Sequence, residues 1–88
     1  NFQIVLMFIV YYYYIRQTDT TGAETMNIRQ QVREVEKHIK AMANEKDEQI
    51  KIISTAQGVI AINKPGTVEE NERALTVLII AKKRIIHA

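Results

Sequence analysis

The chain has 88 residues, with twelve Lys and Arg, ten Asp and Glu, two His and no Cys. This length allows one small domain whose core would be marginal alone, so stability must come from helix packing, oligomerisation or a membrane. The composition excludes disulfides, thiolate metal sites and an ordinary zinc site, and the dispersed charges lack the clustered basic face of nucleic-acid-binding proteins.

The first predicted element is an apolar segment over residues 1–16. No residue from Phe2 to Ile15 is charged, and Arg16 ends the run. A helix of this length rises about 21 Å, less than the roughly 30 Å hydrocarbon core of a bilayer. Apolar residues before Asn1 would complete such a span. A buried or partner-bound helix and a β-strand are the alternatives, and each needs cover from protein.

Four tyrosines at the end of this segment favour the membrane anchor. They stand directly before Arg16, in the order expected of an interfacial aromatic belt followed by a snorkelling cation. The residues predicted at the membrane interface are Tyr11, Tyr12, Tyr13, Tyr14 and Arg16.

A polar linker, residues 17–22, precedes a helical body over residues 23–88. Thr21 and Glu24 have the spacing of a capping box, which predicts a helix over about 23–43. Apolar residues then recur at steps of four, three, four and three, which suits either a coiled coil or packing inside a small bundle. Glu36 and Lys40 are spaced for a surface ion pair.

The apolar register weakens after residue 42 and returns further along the chain. Lys46 and Gln49 occupy its positions before Ile53, Ala56 and Ile60 restore it. A second helix over about 45–62, capped by Asn44, and one continuous helix of about forty residues both fit. Gly58 and the apolar residues after it also allow a short strand, although we predict a helix.

The third helix is predicted over about 68–87. Pro65 and Gly66 break the chain before it, and Thr67 with Glu70 forms a capping box. Acidic residues at its start and basic residues at its end suit the helix dipole. The short turn predicts a hairpin with residues 48–62. The centre of this helix is apolar nearly all round, which indicates further cover from a neighbouring chain or subunit.

Ten residues are predicted to pack helices together. They are Ile28, Val32, Val35, Ile39, Met42, Ile53, Ile60, Leu75, Leu78 and Ile79.

No combination of residues indicates catalysis or a cofactor. Glu34 and His38 share a helix face but lack further metal ligands nearby, and an exposed pair explains them better. Ser54 is the single serine and has no histidine at a catalytic spacing. The three glycines are isolated and cannot form a phosphate-binding loop. We therefore predict a protein that is not an enzyme and has no catalytic residue, metal site or cofactor.

The sequence predicts an all-α protein with an N-terminal apolar helix, a linker, and a long or broken amphipathic helix followed by a C-terminal helix folded back on it. Its predicted function is that of a non-catalytic, single-pass membrane-anchored structural or accessory subunit in a larger membrane complex or virion. Predicted partners are the lipid bilayer and other subunits or further copies of the chain, without nucleic acid. Arg16, Arg29 and Arg33 weakly place the body on the cytoplasmic or interior side. The alternative is a soluble oligomeric helical-bundle module whose first segment is buried in a shared core.

Overall fold

The computed structural model describes residues 27–88, which form three helices packed against one another: α1 (Ile28–Met42), α2 (Lys46–Asn63) and α3 (Val68–Ile86). This confirms the predicted all-α class for these residues. Lys46 Nζ at the start of α2 donates a 3.1 Å hydrogen bond to the carbonyl oxygen of Ala88 beyond the end of α3. α2 and α3 therefore run antiparallel as a hairpin. The predicted anchor segment, residues 1–16, and linker, residues 17–22, lie outside the described residues.

Helix α1 begins at a capping box that was not among the sequence predictions. The Asn27 side chain accepts from the Gln30 backbone N–H at 2.8 Å, and the Gln30 side chain accepts from the Asn27 N–H at 3.1 Å. Asn27 has an extended backbone, so the helix starts at Ile28, five residues after the predicted start. The capping box predicted at Thr21 lies outside the described residues.

A break separates α1 from α2, so the chain has two helices here and not one of about forty residues. Ala43 ends α1 in an extended conformation. The residue that precedes α2 as its cap is Glu45, without a side-chain capping bond, and not Asn44. Gln49 stabilises the break, because its side-chain amide donates a 2.9 Å hydrogen bond to the Ala43 carbonyl oxygen.

The turn between α2 and α3 contains the predicted capping box. The Thr67 hydroxyl accepts from the Glu70 N–H at 3.1 Å, and the Glu70 carboxylate accepts from the Thr67 N–H at 2.8 Å. Asn71 closes the turn through two hydrogen bonds to the backbone of Gly66. Lys64 adopts the left-handed conformation that ends α2, with φ of 46°. Local hydrogen bonds therefore fix where α3 starts.

One apolar core lies between the three helices, and α3 contacts both other helices more extensively than they contact each other. Gly58 lies within α2, so the alternative of a short strand there is wrong. None of the helices in this part of the chain combines the length and apolar character that crossing a bilayer requires. The buried apolar residues are Val32, Val35, Ile39, Ile52, Ile53, Ala56, Ile60, Ala74, Val77, Leu78, Ala81 and Ile85.

Candidate interaction surfaces

The predicted packing residues fall into three groups in the structure. Ile28, Met42 and Leu75 are partly buried and pack against the core. Ile79 is 46% exposed and lies outside the core. Val32, Val35, Ile39, Ile53, Ile60 and Leu78 are fully part of the core. The apolar row on α1 thus packs inside the three-helix body. The residues predicted at the membrane interface, Tyr11, Tyr12, Tyr13, Tyr14 and Arg16, lie outside the described residues.

A charged contact joins α1 to α3. The Arg84 Nε donates a short hydrogen bond to Glu36 Oε1. Glu36 is buried beside it, and Lys40 Nζ lies 3.9 Å from the other carboxylate oxygen. The sequence predicted a surface pair of Glu36 with Lys40 but not the partner Arg84, because a contact between residues 48 positions apart leaves no local signal. This contact helps to set the orientation of α1 on α3.

A second polar contact crosses the same interface. Arg73 Nε donates a 2.7 Å hydrogen bond to Gln31 Oε1. Gln31 is 2% exposed, and its Nε2 has no hydrogen-bond partner among the described residues. A buried polar group without a partner costs stability, so this glutamine is a weak point of the α1 and α3 interface.

A groove of about 540 Å³ lies between α1 and α3. Three of its lining residues are apolar, namely Ile28, Val32 and Ile80, and the other three are arginines. One of these arginines is already bound to Glu36. The three arginines are Arg29, Arg33 and Arg84, of which Arg84 is the one bound to Glu36. We call this the arginine groove; its lining suits an anionic group better than a cation.

A second groove, of about 310 Å³, lies where α2 and α3 meet the turn. Its lining is mainly apolar, with one lysine and one glutamate. We call it the hairpin groove, and its lining residues are Ile60, Ala61, Lys64, Val68, Asn71, Glu72 and Leu75. Unlike the arginine groove, it continues onto exposed apolar side chains of α3.

Four large apolar side chains are exposed in the described part of the chain. Ile62 is 81% exposed near the end of α2. The other three lie on α3: Val68 at 72%, Ile79 at 46% and Ile86 at 43%. Single exposed apolar residues are ordinary on a small protein. Three at helical spacing along one helix are a candidate contact surface.

The described residues contain no group of three or more His, Asp or Glu side chains placed to hold a metal ion. Glu34 and His38 are half-buried on α1, one helical turn apart. They would supply two of the three or four protein ligands that a zinc site needs.

Comparison with models of protein families, with curated protein sequences and with solved structures found no match.

Proposed function

We propose that this protein is a non-catalytic, membrane-anchored subunit that packs through its helical body into a larger assembly such as a membrane complex or virion. The observation that most supports this proposal is the division of the chain. Residues from all three helices of the body contribute to a single apolar core. The apolar run from Phe2 to Ile15 precedes this body and needs a cover of its own.

Exposed apolar residues on the body support the assembly part of the proposal. Val68, Ile79 and Ile86 remain at least 43% exposed although the centre of α3 is buried against α1 and α2. A surface of this kind is typical of a protein that binds another protein chain. The same observation fits the second candidate, a soluble oligomeric bundle in which residues 1–16 join a shared core.

Membrane retention of the full-length chain after a carbonate wash tests the proposal. We expect the chain to remain with the membrane. The variant Leu6→Arg with Ile9→Arg should be released, because each arginine near the centre of an inserted helix costs about 2.5–3.5 kcal/mol. Thr20→Arg, in the predicted linker, is the matched control and should be retained. Release of the unchanged chain would refute the anchor.

Deletion of residues 1–16 separates the two candidates. The anchor proposal expects the shortened chain to keep the helical content of residues 27–88 in circular dichroism, because the core comes from α1, α2 and α3. The shared-core candidate expects the shortened chain to unfold or to dissociate. Loss of the helical signal would therefore favour the soluble oligomer.

A further inference from the structure

The outer flank of α3 carries a second heptad pattern beside the one that faces the core. Its residues recur at steps of four, three, four, three and four. None of them is buried, whereas the core-facing positions of the same helix are. We call this row the α3 stripe, and its residues are Val68, Glu72, Leu75, Ile79, Lys82 and Ile86.

The α3 stripe is complementary to a second copy of itself that runs in the opposite direction. Two helices that run antiparallel about a centre near Val77 place Leu75 against Ile79 in the two middle layers. Next to these layers, Glu72 of each copy meets Lys82 of the other. At the ends, Val68 meets Ile86. Every apolar residue of the stripe then faces an apolar residue, and every charge faces the opposite charge.

We propose that the α3 stripe is a homodimer interface in which α3 packs antiparallel against α3 of a second copy. A parallel pair would place Glu72 against Glu72 and Lys82 against Lys82, and like charges in contact are destabilising. Antiparallel pairing instead makes two symmetric contacts, each between Glu72 of one copy and Lys82 of the other. The charges thus favour a second copy of the chain as the partner and an antiparallel orientation of the two helices.

A second row of exposed residues gives the same direction independently. Glu69, Thr76 and Lys83 each lie one position after every second stripe residue and are all exposed. In antiparallel helices this row faces its own symmetry mate, so Glu69 lies beside Lys83 of the second copy and Thr76 beside Thr76. Parallel helices place the two rows on opposite sides of the interface.

The hairpin groove extends this surface onto α2. It shares Val68, Glu72 and Leu75 with the α3 stripe and adds Ile60 and Ala61 from α2. The antiparallel register places Ile86 of the second copy opposite Val68, at this groove. An apolar side chain would fill a mainly apolar space, and the two hairpins together would form a four-helix arrangement.

The dimer identifies a second copy as one partner in the proposed assembly. It rests on the proposed function because it relies on the membrane anchor to bring the copies together. Contact along one helix of nineteen residues is short for a stable dimer in dilute solution. Copies anchored in one membrane meet at a much higher effective concentration. The dimer should therefore be measured with the full-length chain in vesicles of neutral phosphatidylcholine.

Cross-linking through an introduced cysteine reports the dimer, because the natural chain has none. In Thr76→Cys, a short bismaleimide should link two antiparallel copies. Ser54→Cys, exposed on α2, is the matched control and should cross-link weakly. Within Thr76→Cys, the further change Ile79→Glu should lower dimerisation on the order of a hundredfold, through loss of apolar contact in both middle layers. In the same background, Ile62→Glu should leave dimerisation unchanged, because Ile62 is exposed on α2 and lies outside the α3 stripe.

Charge exchange tests the antiparallel register. Glu72→Lys alone and Lys82→Glu alone should each weaken dimerisation by about tenfold or more, because each creates two like-charged contacts. The double variant should restore it to the original level. Circular dichroism checks that every variant keeps its helices.

Failure of cross-linking at Thr76, or failure of the double exchange to restore it in folded protein, would overturn the dimer. Carbonate retention measured on the same samples reports the anchor separately. A retained chain without cross-linking refutes the dimer alone, and a released chain refutes the anchor.

Discussion

The contrast between two isoleucines of α2 gives a direct test of the core. Ile53 has 0% exposure, whereas Ile62, nine positions later on the same helix, has 81%. Ile53→Ala removes three buried carbons, worth about 2.4 kcal/mol at roughly 0.8 kcal/mol each. The cavity left behind raises the expected loss of unfolding free energy to about 3–4 kcal/mol.

The matched change Ile62→Ala should be nearly neutral. Only about a fifth of this side chain is removed from water, so the lost burial is worth about 0.5 kcal/mol. Alanine recovers a few tenths of a kcal/mol through its higher helix propensity. We therefore expect a net change within about 0.5 kcal/mol.

Chemical denaturation of the full-length chain in a mild detergent, followed by circular dichroism at 222 nm, measures both variants. A body of this size is expected to have a total stability of about 3–9 kcal/mol, so Ile53→Ala will lose much of it. Ile53→Val, expected to cost about 0.5–1.5 kcal/mol, keeps the measurement within range. Equal losses at Ile53 and Ile62 would refute the placement of the core.

Three further predictions concern single positions and use the same measurement. Gly58→Ala should stabilise by about 0.5–1 kcal/mol, because the added methyl group has no atom within 4 Å apart from its chain neighbours and the local helix backbone, and glycine disfavours helix; a loss of stability would contradict this. Thr67→Ala should cost about 1 kcal/mol through loss of the cap, whereas Thr76→Ala, exposed within the same helix, should not. Arg84→Ala should cost about 1–3 kcal/mol by leaving the Glu36 carboxylate buried without its arginine partner, and the cost should shrink in a Glu36→Gln background.

Local patterns in the sequence predicted the helices well where hydrogen bonds are local. The start of α3 follows from Thr67 and Glu70, which bond to each other's backbone across three positions. Asn27 and Gln30 follow the same rule at the start of α1 and were overlooked in favour of Thr21 and Glu24. The sequence contained that signal, and a competing pattern nearby obscured it.

The sequence alone could not decide between one long helix and two helices separated by a break after α1. Asparagine is a more favourable capping residue than glutamate, yet the residue at the cap position of α2 is Glu45 and not Asn44. The bond from the Gln49 side chain to the Ala43 carbonyl oxygen stabilises this arrangement. Such a bond depends on the direction in which the chain bends, and periodicity does not report that direction.

The predicted packing residues include half of the buried apolar residues of the described part of the chain, and apolar periodicity failed where α3 has two apolar faces. Leu78 and Ile79 are neighbours of similar size, but Leu78 is fully buried and Ile79 is half exposed. The pattern showed that both faces need cover and could not assign one face to the body. Residues of the α1 and α3 interface, such as Arg73 and Arg84, were missed because their partners lie more than 40 positions away.

The preference of α1 for α3 over α2 has a consequence for the order of folding. α2 and α3 are joined by a short turn, so their contacts close a small loop and can form early. The contacts of Gln31 with Arg73 and of Glu36 with Arg84 close loops of 42 and 48 positions. During synthesis α1 leaves the ribosome before α3 and cannot complete its docking until α3 has been made. Until then its apolar face is open to chaperones and, for an anchored chain, to the membrane surface.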